Sequence, residues 1–260
     1  MRNIEHGGSS PSAAGIYPSP VLLYHRHQPM NLHAVLILFQ IVVLLFAISL
    51  HEASHAWMAW RLGDPTARML GRVTLNPIKH IDPFGTILIP LLCVYAGFPL
   101  IGWAKPTPVT TRNFKNIKRD DILTTLAGPA SNLLTAIVAT VILLVLKFVN
   151  AGTVISAMMA AQMGMIDPNV MHGSPILFPL TLLLYYAVLI NLILMAFNLI
   201  PLPPLDGSHV VRHMLPYNWL RAYDSIGMIG LILVFLFGGR FIGMIVSPML
   251  NVFNHILLGM

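Results

Sequence analysis

The sequence predicts an all-α polytopic membrane protein, with about five to six membrane segments, a small interfacial β element and one re-entrant segment. Of the 260 residues, 56% are hydrophobic and only 9% are charged, whereas charged residues make up about a quarter of an ordinary soluble domain. The apolar residues also gather into long runs, each near the roughly 20 residues that an α-helix needs to cross the hydrocarbon core. We therefore expect the lipid bilayer to be the solvent for most of the chain.

The apolar runs define the expected membrane segments in chain order. Five runs stand out, at residues 33–60, 84–103, 125–149, 176–200 and 225–259, and a shorter, less apolar one covers 151–166. The last run is interrupted by Gly238, Gly239 and Arg240. Because the intervals between runs are short, we expect residues 32–260 to form a single membrane-embedded domain, preceded by a mobile tail at residues 1–31 that is rich in Gly, Ser and Pro.

Two intervals between apolar runs predict short strands. Prolines and glycines exclude a long helix in both intervals. Residues 68–75 alternate in polarity, and Val109, Thr110 and Thr111 have the side chains that strands favour. We expect the two strands to form a small sheet near the membrane interface. Its edge, at residues 71–75 or 107–111, could bind an extended peptide, or the strands could only fill a cavity.

Charge and cysteine content exclude several functions. The net charge is +6, but the 15 Lys and Arg residues fall mainly in short loops between apolar runs. Such placement is typical of orientation in a membrane, so we expect no nucleic-acid partner. A single cysteine, Cys93, excludes an internal disulfide and a Cys-rich metal cluster. Any metal ligands must then be His and carboxylate side chains.

The first apolar run contains a zinc-binding pattern, His51-Glu52-Ala53-Ser54-His55. Residues four apart on a helix share a face, so both imidazoles can reach one ion. Glu52 can act as general base and acid toward a metal-activated water, as in other H-E-x-x-H helices. A five-residue match can arise by chance, but ionisable groups within an apolar run are costly unless paired or liganded.

The third ligand is expected at Asp206. A water-activating zinc needs three protein ligands and one open position. Asp206 follows an apolar run that is broken by Pro201, Pro203 and Pro204. Broken backbone at membrane depth requires surrounding protein or a watery cavity, which suits a site. An alternative reading of the same ligands is a metal-ion transporter or a non-hydrolytic metal-binding membrane protein.

These motifs resemble those of the site-2 protease family of zinc intramembrane metalloproteases. The second family motif, N-x-x-P-x-x-x-L-D-G, is present as Asn198, Pro201, Leu205, Asp206 and Gly207. Two further segments, GRVTLNPIKHIDPFGTILIP and GWAKPTPVTTRNF, resemble the compact bacterial branch, which lacks PDZ and CBS domains.

The resemblance implies an endopeptidase that cleaves transmembrane protein substrates in or near their membrane helices. It implies that His51, His55 and Asp206 bind one Zn²⁺ and that Glu52 is the catalytic base. Asn198 would bind or polarise the substrate carbonyl, a role that pre-aimed donors play in other enzymes. Nothing in the pattern specifies a particular substrate or an oligomeric state.

The position of the ligands predicts a topology. If His55 and Asp206 meet near the ends of their helices, an odd number of full crossings must separate these helices. We expect 84–103 to be re-entrant, although a full crossing by 151–166 would also satisfy the rule. Lys and Arg then collect on the zinc side, which the positive-inside rule makes cytoplasmic. The expected location is the bacterial inner membrane, with the N-terminal tail outside; Arg2 and Arg26 in the tail oppose this orientation.

Four other polar residues have more than one interpretation. His209 and His213 are also four apart and could bind a second metal ion, but a solvated interfacial pair explains them equally well. His80 is interpreted as a loop-stabilising group rather than a metal ligand. Asn132 is interpreted as a helix-packing residue rather than a catalytic one, because Asn side chains can hydrogen-bond between membrane helices.

Overall fold

The computed structural model describes residues 31–96, 102–164 and 174–258. The mobile tail predicted for residues 1–31 lies outside these ranges, apart from Asn31. Asn31 is the first residue of a helix.

The described chain is helical. Its nine α-helices, numbered in chain order, are α1 (Asn31–Arg61), α2 (Thr66–Met69), α3 (Ile89–Ala96), α4 (Ile117–Val149), α5 (Ala151–Met163), α6 (Leu177–Asn198), α7 (Gly207–Arg212), α8 (Tyr217–Ser225) and α9 (Gly227–Leu258). A π-helical turn, Pro83–Leu88, leads into α3, and short 3-10 turns cover Pro77–Lys79 and Thr111–Asn113.

Three helices are long and apolar enough to cross a membrane. They are α4, α6 and the part of α1 from Ala34 to Arg61, and they correspond to the predicted runs 33–60, 125–149 and 176–200. Shorter apolar helices cover Pro83–Cys93, Ala151–Met163 and Gly243–Leu257. The described ranges thus contain three candidate spans, and the predicted count of five to six is not confirmed. The segment predicted to be re-entrant, 84–103, overlaps the short helix Pro83–Cys93.

The last apolar run forms one helix in the structure. Gly238, Gly239 and Arg240 interrupt the apolar run in the sequence, but α9 continues through all three. Glycine keeps its backbone N–H and C=O, so a helix tolerates it at a cost of about 1 kcal/mol relative to alanine.

The predicted strands are not found in the described ranges. Neither 68–75 nor 107–111 forms a strand. In the second segment the backbone N–H of Thr107 donates to Glu52 and that of Thr110 donates to Asp64. These two donors are therefore unavailable to a β ladder.

Helix α4 occupies the centre of the helix packing. It packs against α1 and α6, and α1 also packs against α6. The main apolar core joins α4 to α5, α6 and α9 through buried side chains: Ala136, Ala139, Leu143, Val154, Met158, Tyr185, Val188, Leu192, Ala196, Val246 and Leu257.

The N-terminal half of α4 has a different surface. The helix begins after Asn116, whose side-chain oxygen accepts the backbone N–H of Arg119 and so caps the first turn. Thr124, Gly128 and Asn132 follow at helical spacing, and all three are buried. This polar and small-residue stripe contacts the part of α1 that contains His51 and His55.

Candidate metal centre

Two imidazoles and one carboxylate converge at the end of α1. Asp206 Oδ2 lies 3.0 Å from His51 Nε2 and 3.3 Å from His55 Nε2, and the two Nε2 atoms are 3.0 Å apart. Both histidines are buried on adjacent turns of α1, and Asp206 directly precedes α7. The structure therefore brings together the three side chains that the sequence predicts as ligands, close enough to hold one metal ion.

Helix α4 orients both imidazoles through their other ring nitrogen. His51 Nδ1 lies 3.1 Å from the side-chain oxygen of Asn132, and His55 Nδ1 lies 2.7 Å from the backbone oxygen of Thr124. Amide oxygens only accept hydrogen bonds, so each Nδ1 carries the proton and donates it. In the neutral imidazole the Nε2 atom then has a free lone pair.

The three converging atoms fit a zinc ion. With both Nε2 atoms unprotonated and Asp206 ionised, three lone-pair atoms face one another, an arrangement that a cation between them would stabilise. In a tetrahedral zinc site with bonds of about 2.0 to 2.1 Å, ligand atoms are about 3.3 Å apart. The observed separations of 3.0 to 3.3 Å are close to that spacing.

Gly128 allows α4 to approach this group. A Cβ atom at Gly128 would lie 2.6 Å from His51 Nε2 and would also clash with His55 Nε2. These are the two atoms that face Asp206. Any side chain at Gly128 would therefore enter the space where a metal ion would be bound.

Glu52 lies beside the group and is held by Thr107. Glu52 Oε2 accepts the backbone N–H of Thr107 at 2.9 Å and its hydroxyl at 2.7 Å. The Thr107 hydroxyl is also 3.0 Å from the backbone oxygen of Glu52. Glu52 is half-buried, and two donors on one oxygen fix the direction of its carboxylate.

One cavity connects the predicted site residues. Its volume is about 630 Å³, and its lining includes His51, Glu52, His55, Asn198 and Asp206. Asn198 is the last residue of α6, and its side-chain nitrogen donates to the backbone oxygen of Leu194 at 3.0 Å. The second amide hydrogen of Asn198 can still be donated within the cavity.

The site favours an ionised Asp206. Burial alone would raise the pKa of Asp206, but the positive charge of a protonated His55 and hydrogen bonds from protonated imidazoles lower this pKa well below its ordinary value, and a cation bound between the same atoms would act in the same direction. The carboxylate is therefore available as a metal ligand over the physiological pH range.

A second group of His and Asp side chains borders the same cavity. Asp121 Oδ2 lies 2.7 Å from His213 Nε2 and 3.3 Å from His209 Nδ1, and both Asp121 and His209 line the cavity.

The loop role predicted for His80 fits its contacts: its Nε2 donates to the backbone oxygen of Thr74 at 2.9 Å, and the residue is buried.

Sequence reasoning missed the partners of the ligands and of Glu52. Asn132 is a packing residue, as predicted, but its oxygen contacts His51, and nothing in the sequence pairs these two residues. The sequence predicts for Thr107 only a place in the strand edge at residues 107–111. The available signal was the presence of Asn132 in an apolar helix, because a buried amide requires a hydrogen-bond partner.

A glutamate beside two imidazoles and a carboxylate, within helices of membrane length, is the arrangement expected of a membrane-bound zinc metalloprotease. Comparison with known proteins supports this class. The chain belongs to peptidase family M50, whose family model matches residues 39–237. The predicted resemblance to site-2 proteases is thereby confirmed.

Individual relatives agree with the family. The chain is 37% identical to "Putative zinc metalloprotease YwhC" of Bacillus subtilis over 180 residues, 68% of this chain and 69% of that protein. It is 30% identical to "Putative zinc metalloprotease Rip2" of Mycobacterium tuberculosis over 174 residues, 66% of this chain and 56% of that protein. No solved structure matches the chain significantly. The chain is therefore a zinc metalloprotease and, from its apolar helices, an integral membrane protein.

Proposed function

We propose that the chain is a zinc-dependent intramembrane endopeptidase that hydrolyses peptide bonds in or near the transmembrane helices of other membrane proteins. The observation that carries the proposal is that Glu52 lines the same cavity as the converging side chains of His51, His55 and Asp206, on a helix of membrane length. A site built on helices of membrane length is suited to substrates that are themselves in the bilayer.

In this proposal His51, His55 and Asp206 hold the zinc ion. Zinc, when bound, supplies Lewis-acid polarisation of water and of the scissile carbonyl. Asn132 and the backbone oxygen of Thr124 keep each imidazole in the tautomer that presents Nε2 to the site.

Glu52 carries the proton transfers. It accepts a proton from the attacking water, and the remaining hydroxide adds to the carbonyl carbon of the scissile bond. The C–N bond then breaks, and Glu52 returns the proton to the departing amine, so that one water is consumed for each peptide bond. Thr107 holds the Glu52 carboxylate in place for both transfers, and Asn198 donates to the substrate carbonyl from the cavity wall.

The substrate must be unwound locally before attack. A transmembrane helix hides its peptide carbonyls in its own hydrogen bonds. The cavity of about 630 Å³ lies within the range of roughly 300 to 1,000 Å³ that is usual for ligand sites, so it can receive a short extended stretch. Residues 102–107 supply part of the cavity wall.

We further propose the predicted topology and organisation. The Trp103 N–H donates to the Gly85 backbone oxygen at 3.1 Å, and the Thr86 hydroxyl donates to the Trp103 oxygen at 2.8 Å. The two ends of segment 84–103 thus lie side by side, which supports a re-entrant segment. We also propose that residues 32–260 form a single membrane domain with five to six membrane segments. In this proposal the site opens to the cytoplasm of a bacterial inner membrane.

The test is the replacement Glu52→Gln, with Glu5→Gln as the matched control, because these are the two glutamates of the chain. Zinc content and cleavage of a membrane-helix substrate are measured on the purified full chain. We expect Glu52→Gln to keep its zinc and to lose cleavage by about 10² to 10⁴-fold, the usual contribution of general acid and base catalysis. Undiminished cleavage would remove Glu52 as the base, and cleavage by neither wild type nor control would favour a non-hydrolytic metal protein.

A further inference from the structure

The three side chains of the candidate metal centre are oriented in two different ways. His51 and His55 each direct Nδ1 to an acceptor on α4, the side-chain oxygen of Asn132 and the backbone oxygen of Thr124. Apart from the two imidazoles, no donor in the described ranges reaches the buried Oδ2 atom of Asp206. The direction of this carboxylate therefore depends on the backbone that carries it.

That backbone is the start of α7. Asp206 directly precedes α7, and its backbone oxygen accepts the N–H of His209 at 3.0 Å. Gly207, the first residue of α7, lies so close to the end of α6 that a Cβ atom there would clash with the Leu199 backbone oxygen. This contact holds one end of α7 against α6, but it does not fix the direction in which α7 continues.

Asp121 on α4 supplies a second point of attachment. Its Oδ2 atom accepts hydrogen bonds from His213 Nε2 at 2.7 Å and from His209 Nδ1 at 3.3 Å. The side chain of His213 is 21% exposed and that of His209 is 47% exposed, so His213 makes the shorter and better protected bond. The sequence left these histidines open as ligands of a second metal ion. Among the described residues, however, the candidate metal centre is the only group close enough to share an ion, and the His pair instead joins α7 to α4.

Asp121 lies on the same face of α4 as the partners of the imidazoles. Asp121, Thr124, Gly128 and Asn132 follow one another at intervals of three, four and four residues, and all four are buried. Residues at such intervals share one face of a helix. This face contacts α1 through Thr124, Gly128 and Asn132 and contacts α7 through Asp121. A single helix thus attaches to both elements that carry the ligands.

We propose that Asp121 is a positioning residue for Asp206. By holding α7 through His213, and more weakly through His209, it brings the third ligand to the two imidazoles that the same face of α4 orients. Asp121 acts through α7 rather than by contact with the metal ion. The inference rests on the proposed function only in taking Asp206 as a zinc ligand, and it is independent of the role of Glu52.

The test is a double-mutant cycle on zinc affinity, which requires no peptide substrate. Zinc affinity is measured by competition with a chelator on the full chain, after the histidines of the first 30 residues have been replaced by glutamine so that they add no binding: His6, His25 and His27. Asp121→Ala should weaken zinc binding by about 10 to 100-fold, the usual effect of losing a residue that orients a metal ligand. In an Asp206→Ala background the same change should have no further effect, because the two residues act as one unit. Equal weakening by Asp121→Ala in both backgrounds would indicate a general structural effect and would overturn the proposal.

Cobalt absorption and a neighbouring aspartate provide a second measurement and a control. With Co²⁺ in place of Zn²⁺, Asp121→Ala should shift the visible absorption toward that of Asp206→Ala, because this absorption reports the ligands. The control Asp120→Ala removes the adjacent buried carboxylate, whose Oδ2 accepts the backbone N–H of Asn116 at 2.9 Å. We expect the control to keep the zinc affinity and the cobalt absorption of the starting protein.

His213 provides variants that leave the buried start of α4 intact. His213→Ala should weaken zinc binding, and His213→Gln should retain most of it, because the glutamine amide can donate to Asp121 from a similar position. Equal loss in the two variants would contradict a role for this hydrogen bond.

The same measurements separate the positioning role from the ligand assignment. If Asp206→Ala bound zinc as tightly as the starting protein, the ligand assignment of the proposed function would be wrong, and the positioning role would fall with it. If Asp206→Ala weakened binding while Asp121→Ala and His213→Ala did not, the ligands would stand and only the positioning role would be overturned.

Discussion

At the level of single residues, hydrogen-bond partners orient the imidazoles of His51 and His55 toward the candidate metal site. Asn132 and the backbone oxygen of Thr124 decide which ring nitrogen of His51 and His55 is free. Side chains that hydrogen-bond to a metal ligand in this way typically contribute 10 to 100-fold to metal affinity.

Replacement Asn132→Ala should therefore weaken zinc binding by about 10 to 100-fold, because His51 loses the acceptor that fixes its tautomer and ring direction. The measurement is the rate and extent of zinc transfer to a competing chelator. The control is Asn191→Ala, which removes a buried amide of α6 that bonds to the Ala187 backbone oxygen. Equal zinc loss in both variants would count against a specific role of Asn132.

The ligands could be predicted from the sequence, but their partners could not. Helical periodicity places His51 and His55 on one face, and the broken backbone before Asp206 makes that residue a candidate third ligand. Asn132 is 81 residues from His51 along the chain. No periodicity connects residues so far apart on different helices, so the pairing appears only once α1 and α4 are packed together.

At the level of elements, the contact between α1 and α4 depends on the absence of a side chain at Gly128. Replacement Gly128→Ala should abolish zinc binding, because the new Cβ would lie 2.6 Å from His51 Nε2. Zinc content of the purified variant is the measurement.

The matched control for Gly128→Ala is Gly243→Ala in α9, where a Cβ would meet no atom within 4 Å. That change should retain zinc and be neutral or stabilising by up to about 1 kcal/mol, since alanine favours a helix more than glycine does. A Gly128→Ala protein with full zinc content would show that α4 can move away from α1 without cost.

Asp64 connects the loop after α1 to the segment that contains Thr107, the hydrogen-bond partner of Glu52. Its carboxylate accepts the backbone N–H and hydroxyl of Thr66, the backbone N–H of Thr110 and the side-chain amide of Asn113, over 2.5 to 3.1 Å. Burial opposes ionisation of Asp64, but these hydrogen bonds lower its pKa below the ordinary value of 3.8.

A lowered pKa in the folded state predicts a specific dependence on pH. The stabilisation by Asp64 is fully present above the unfolded pKa and is lost as the pH falls through the folded pKa. Replacement Asp64→Asn should therefore lower the free energy of unfolding at pH 7 by about 1.5 to 3 kcal/mol, the usual contribution of a hydrogen bond to a charged group. The measurement is the shift of the unfolding midpoint in detergent. The difference from wild type should shrink below about pH 4.

For comparison, Asp224→Asn removes an ion pair with Arg212 that is about half exposed, and we expect it to cost less than about 1 kcal/mol. A difference between wild type and Asp64→Asn that stays constant down to pH 3 would contradict the stated origin of the stabilisation.

The strand prediction was wrong because contacts between distant elements determine the backbone hydrogen bonds of this segment. Val109, Thr110 and Thr111 have the side chains of a strand, but side-chain preference does not determine where backbone donors go. Carboxylates from Glu52 and Asp64 take the N–H groups of Thr107 and Thr110. The competing acceptors are more than 40 residues away along the chain, so a local pattern could not reveal them.

At the level of the whole molecule, the meeting of His55 with Asp206 fixes the relative direction of α1 and α6. The contact joins the C-terminal part of α1 to the chain just beyond α6, and His55 also contacts Thr124 near the start of α4. The C-terminal ends of α1 and α6 and the N-terminal end of α4 therefore lie on the same side. That agrees with one full crossing, by α4, between the two helices of the site.

The predicted orientation can be tested with two reporters. Alkaline phosphatase, active outside the cytoplasm, should be active when fused at Met1, and a fluorescent protein that matures in the cytoplasm should be bright when inserted near Lys115. The reason is that Lys and Arg collect on the side that contains Lys115. Exchanging the two reporters is the control, and a bright fluorescent protein at Met1 would reverse the proposed orientation.

The separation of the three ligand atoms along the chain has a consequence for biosynthesis. The ribosome completes Glu52 and both histidines early, but Asp206 follows only after α4 and α6 have been made. A nascent chain therefore holds Glu52, the proposed base, before it holds all three of the proposed zinc ligands. Under the proposed mechanism, peptide-bond cleavage therefore requires that synthesis has passed Asp206 and that zinc has reached the folded site.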